Sequence, residues 1–138
     1  MSTEDTRHRT LLIVRIVSAL ALLAAGGIHL FLVLTGTGGL LGVAFVLNFL
    51  AGLVLGVGML VVPRRFLLGV TVLALLFMVA SLGALLIAMT VGLFGVQPTW
   101  DYPLVRETVI VESIGVVVLV IATVIVFRDR RAQLTRRR

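Results

Sequence analysis

The chain has 138 residues, 60% of them hydrophobic and only 13% charged, with twelve basic and six acidic residues giving a formal net charge of +6. A mean hydropathy of +1.22 excludes a water-soluble domain of this length, which needs polar residues over most of its surface. With no cysteine, a disulfide framework, a thiolate metal site and membrane thiol redox chemistry are excluded too.

Four apolar blocks follow in chain order, about Leu11 to Leu34, Leu40 to Val62, Phe66 to Leu93 and Thr108 to Phe127, each long enough to cross a bilayer as a helix. TGTGG, PRR and GVQPTWDYPLVRE separate them, and such short connections predict antiparallel neighbours. The expected fold is therefore all-α, a single antiparallel four-transmembrane-helix domain over residues 1–138 with short basic tails. Arg7, Arg9, Arg64, Arg65, Arg128, Arg130, Arg131, Arg136, Arg137 and Arg138 flank one side, Arg15 lies just inside the first block, and Arg106 lies opposite. The positive-inside tendency then puts both termini and PRR in the cytoplasm, and TGTGG and TWDYP outside. The first block is too long for the apolar core of a signal peptide and has no persuasive cleavage site, so it is read as a retained helix.

In lipid, helices associate through small residues and polar contacts, so stripes of these residues predict the inner faces. The first block carries Arg15, Ser18, Leu22, Ala25 or Gly26, and His29 at helical spacing. The second carries Ala44, Asn48, Ala51 or Gly52, and Gly56, with two GxxxG matches, Gly38 with Gly42 and Gly52 with Gly56. These glycines are the expected packing positions, inside one bundle or across a homodimer. The third carries Ala74, Ser81, Ala84 and Ala88, and the fourth Thr108, Glu112, Gly115, and Ala122 or Thr123.

At about 1.5 Å of rise per residue, His29 lies roughly 8 Å below the outer end of its helix and Glu112 roughly 6 to 8 Å below the end of its own. Asn48 is about 12 Å down, slightly beneath them. A charged group at the centre of a lipid-exposed helix costs about 2.5 to 3.5 kcal/mol on insertion scales, and less near the surface, so an inward-facing cluster of these three is expected. Two readings fit it. One is a hydrogen-bonded clasp that sets helix order; the other is an outward-facing pocket for a lipophilic ligand such as a quinone head group, with His29 and Glu112 able to carry protons. Phe31, Phe94, Trp100 and Tyr102 gather toward the same end, where aromatic residues also serve as interface anchors.

Haem is disfavoured because the second histidine, His8, sits in the opposite tail, leaving Met89 as the alternative ligand, and copper meets the same shortage. No metal site is expected. Ser81 lies in VASLGAL and not in GxSxG, so hydrolase chemistry is not expected and the chain is not read as an enzyme. A dimeric small transporter or channel remains an alternative, although the first-helix glutamate of small multidrug transporters is missing. RDRRAQLTRRR reads as a juxtamembrane segment drawn to anionic lipid, not as a nucleic-acid surface.

Arg15, an apolar turn and then LLAAGGIHL resemble the first helix of DoxX-like small bacterial membrane proteins, which share the length and the four spans. The resemblance implies a multi-pass protein of the bacterial cytoplasmic membrane, with links to quinone or oxidative-stress systems, and carries over no catalytic residue. The expected function is an accessory or interaction protein with the lipid bilayer and a membrane partner or second copy as its associates, binding a lipophilic ligand in the outer half. A quinone-linked redox component is the alternative.

Overall fold

A computed structural model of the chain describes residues 3–136, and over them the backbone forms four helices, α1 Thr3–Leu34, α2 Gly39–Val61, α3 Arg64–Val91 and α4 Val105–Arg136. Arg137 and Arg138, counted above among the flanking arginines, lie outside the described residues. All four helices are long and apolar enough to span a membrane. The shortest, α2, has 23 residues, and at about 1.5 Å per residue it covers the roughly 30 Å hydrocarbon layer.

The helix ends differ from the apolar blocks for local reasons. α1 starts at Thr3, not Leu11, and α4 continues to Arg136, not Phe127, because no proline or glycine interrupts the polar flanks and helical hydrogen bonding does not stop where lipid does. α3 stops at Val91 because Gly92 takes a left-handed φ of 79°, a common way to end a helix. Phe94 and Gly95 are left-handed too, and the backbone pairs Leu93 with Val96 across the tight turn they make. Between α2 and α3, Pro63 holds Val62 extended, which ends α2 without a loop.

Cross-helix pairs fix the packing. Arg15 of α1 donates to the carbonyls of Leu60 and Val62 at 3.0 and 2.8 Å, so a cation sits on the carbonyl end of α2, where the unpaired acceptors and the helix dipole favour it. Further along the same seam, Gly26 lies against Gly52. At the arginine-rich end, Arg7 of α1 is paired with the Asp129 carboxylate of α4 and also donates to the Asp129 carbonyl at 2.7 Å. Leu22, Met59, Leu67, Met78 and Leu119 fill the interior with essentially no exposure, while Leu12, Leu20, Val54, Leu73, Ile110 and Val117 face outward. An outer surface of large aliphatic side chains suits lipid. The seam between α2 and α3 is the sparsest of the four helix–helix seams.

Candidate functional site

His29, Asn48, Ser81 and Glu112, one residue from each helix, form a polar chain across the interior. Asn48 Nδ2 donates to Ser81 Oγ at 2.7 Å, and Ser81 Oγ donates to Glu112 Oε1 at 2.5 Å. His29 Nε2 stands 4.0 Å from that same carboxyl oxygen. Glu112 is wholly buried and His29 nearly so.

The histidine is oriented from behind. Its Nδ1 lies 2.8 Å from the Ala25 carbonyl one turn earlier, and a carbonyl only accepts, so Nδ1 carries the proton and Nε2 is turned toward Glu112. Phe45 meets the ring edge-on, with centroids 5.0 Å apart and planes at 75°, which restricts its rotation. At 4.0 Å, His29 Nε2 and Glu112 Oε1 face each other without a direct hydrogen bond. Glu112 Oε2 and Asn48 Oδ1 are buried with no partner among the described residues, so the chain holds acceptor capacity that its own donors leave unused.

Above this chain lies a cavity of about 320 Å³. His29, Asn48 and Ser81 form its polar floor. Ala44 and Phe45 of α2 face Ala84, Leu85 and Ala88 of α3 across it, and the α3–α4 connection folds over it with Phe94, Pro98 and Tyr102. The sparse α2–α3 seam forms its facing walls, and Leu32 of α1 with Val105 and Thr108 of α4 closes it, so all four helices line the cavity. Small residues at 44, 84 and 88 leave the space between the walls unfilled, and the chain turns left-handed at Phe94 and Gly95 in the connection that lines the cavity.

The structure thus brings His29 and Glu112 to one level and joins Asn48 to them through Ser81. The serine was visible in the sequence on the inner stripe of the third block, but only as a packing residue. Its signal was a hydroxyl on a stripe otherwise made of Ala74, Ala84 and Ala88. Phe94 and Tyr102 line the cavity, whereas Phe31 and Trp100 do not, although all four are exposed. The glycines divide. A Cβ on Gly52 would stand 3.0 Å from the Leu22 carbonyl oxygen, and one on Gly56 would meet Leu23 and Ala19, so this pair forms the α1–α2 seam within the chain. Gly38 has open space around it, and Gly42 packs on the Thr37 carbonyl of the α1–α2 connection, so that pair joins no two helices within the chain. His8 and His29 are both on α1, some 32 Å apart along the axis at about 1.5 Å per residue. Among the described residues no three His, Cys, Asp or Glu side chains gather in a metal-binding group.

No family model, curated protein or solved structure matches the chain. The chemistry of the site therefore carries the functional reading.

Ser81→Ala removes the hydroxyl that joins Asn48 to Glu112 and breaks both of its hydrogen bonds. Interhelical hydrogen bonds in membrane proteins average about 0.6 kcal/mol and reach about 1.7. A loss of about 1 to 2 kcal/mol is expected for this two-bond bridge, read as a lowered thermal midpoint in mild detergent. A midpoint equal to wild type would show that the hydroxyl bridges nothing of consequence.

Proposed function

We propose that the chain is a non-enzymatic, multi-pass protein that binds a lipophilic ligand in the cavity between α2 and α3. The carrying observation is that cavity, about 320 Å³ with aliphatic and aromatic walls over a floor of His29, Asn48 and Ser81. Its volume falls within the roughly 300 to 1,000 Å³ of small-molecule sites, which pair apolar walls with a few placed polar groups. Ionisable groups inside a membrane span are more often functional than incidental, and here one of them is wholly buried beside the floor.

In this reading the helices stand antiparallel in the bacterial cytoplasmic membrane, with both termini and the Pro63 turn inside. The segregation of arginine supports the orientation. The pairing of Arg15 with the end of α2 and of Arg7 with the end of α4 supports the chain directions. The cavity then opens in the outer half, and the DoxX-like character of Arg15 and GGIHL is a working assignment of kinship. The favoured role is that of an accessory protein that presents or senses its ligand beside a membrane partner.

A quinone-class head group is the second reading. It is favoured by Phe45, Phe94 and Tyr102, three rings around one cavity, which suit a planar guest.

The deciding measurement is mass spectrometry with an ultraviolet–visible spectrum on protein purified in mild detergent, comparing wild type with His29→Ala and Glu112→Gln. A stoichiometric lipophilic molecule bound to wild type and depleted about tenfold or more in either variant is expected, corresponding to at least about 1.4 kcal/mol of binding. A quinone spectrum would select the second reading. Nothing bound, with both variants only less heat-stable, would leave the polar chain as a clasp and remove the ligand from the proposal.

A further inference from the structure

At the opposite end of the molecule, a cleft of about 170 Å³ runs between the start of α3 and the end of α4. Its polar part is made by Arg64, Arg65, Arg130 and Gln133, and its deeper part by Leu67, Leu68 and Val126. Asp129 also lines the cleft, but its charge is taken: Arg7 pairs with it from α1, Gln133 donates to Oδ2 at 2.7 Å, and Arg64 stands 3.7 Å away. Arg65 and Arg130 have no carboxylate partner among the described residues; the Arg65 guanidinium lies over the Phe66 ring at 4.7 Å. The α3 N-terminus adds to the same field, since Pro63 supplies no side-chain cap and the first turn presents the positive end of the helix dipole.

We propose that this cleft binds an anionic phospholipid, with the phosphate on Arg65 and Arg130 and the start of an acyl chain along Leu67, Leu68 and Val126. The shared chemistry is a phosphate anion, which a free phosphate ion would also supply. The apolar half of the cleft selects the lipid. Basic pockets between transmembrane helices recognise anionic head groups through this pairing of guanidinium and phosphate. Arg7, by neutralising Asp129, removes the one carboxylate that would repel the head group.

The test uses the full chain in mild detergent and native mass spectrometry, with phosphatidylglycerol, phosphatidylcholine and inorganic phosphate as separate additions. Wild type is expected to retain phosphatidylglycerol and release phosphatidylcholine, and millimolar phosphate is expected not to displace the bound lipid. Arg65→Gln with Arg130→Gln is expected to weaken retention by about 25-fold, roughly fivefold for each arginine. Arg106→Gln, at the other end of the molecule, is expected to change nothing. Equal retention of phosphatidylcholine, or loss of equal size in Arg106→Gln, would overturn the proposal in favour of general lipid adhesion. Stripping of the lipid by phosphate would reassign the cleft to a free anion. The two lipids and the phosphate competition are read on wild type, so they decide the matter even if the double variant fails to fold.

Discussion

Gly52→Val is expected to abolish a stable fold, or to lower the thermal midpoint more than any other single change on the α1–α2 seam. A Cβ at this position would stand 3.0 Å from the Leu22 carbonyl oxygen and 3.4 Å from the Gly26 Cα, both backbone atoms. Neither can turn aside, so the helices themselves must separate. Overpacking of this kind costs about 1 to 3 kcal/mol in a soluble core. In lipid the separated faces gain nothing from hydrophobic burial, because the surrounding chains are as apolar as the seam, and lost close packing is not replaced. Valine also restricts its own rotamers on a helix, which leaves fewer ways to relieve the clash. Gly56→Ala is expected to be milder, since its nearest neighbours are Cγ and Cδ2 of the Leu23 side chain, which can shift, and the nearest backbone atom, the Ala19 carbonyl oxygen, stands at 3.4 Å. Gly27→Ala is the control: nothing lies within 4 Å of its added carbon, and the exchange should gain up to about 1 kcal/mol of helix propensity. Thermal unfolding followed by circular dichroism in detergent ranks the three. A Gly52→Val protein that melts with wild type would mean that the close approach of α1 and α2 is not what holds them.

The same seam shows how far a single sequence reaches. Four helices were legible because each apolar block is long enough to have only one role. The inner stripe of each was legible because small and polar residues recur at helical spacing. The level shared by His29 and Glu112 followed from rise per residue and the positions of the loops. The GxxxG spacing did not say which neighbour a glycine meets: Gly52 meets α1, while Gly42 meets the carbonyl of Thr37 in its own connection. Ser81 was hidden for a related reason. A hydroxyl on a buried helix commonly bonds back to its own turn, as Thr71 does to Leu67 at 2.7 Å and Thr123 to Leu119 at 2.7 Å. Only the opposed positions of Asn48 and Glu112 draw Ser81 across the interior. A pocket in the outer half was one of the two sequence readings, but its walls were illegible, since they depend on how far α2 and α3 diverge and on a left-handed turn at Phe94, a residue type that rarely adopts one.

Ala44→Phe is expected to expel the ligand while leaving the polar chain intact. Ala44 lies on the cavity wall one helical turn before Asn48, and a ring at this position leans toward the α2 N-terminus beside Leu41, into the cavity volume above the polar residues. The cavity already exists, and the ring therefore fills space without forcing packed atoms apart. Filling an apolar void commonly adds about 0.5 to 2 kcal/mol of stability. Binding, in contrast, should fall by at least about tenfold, or 1.4 kcal/mol, because the new ring and the guest compete for one volume. This opposition of sign separates the variant from Glu112→Gln and Ser81→Ala, which disturb the chain that both holds the helices and orients the floor. Native mass spectrometry for the copurifying molecule and a melting curve on the same sample read both quantities. A filled variant that melts at or above the wild-type temperature and has lost its ligand puts the guest between α2 and α3. If it keeps the ligand at full stoichiometry, the guest lies elsewhere, and His29 and Glu112 serve to fix the order of the helices.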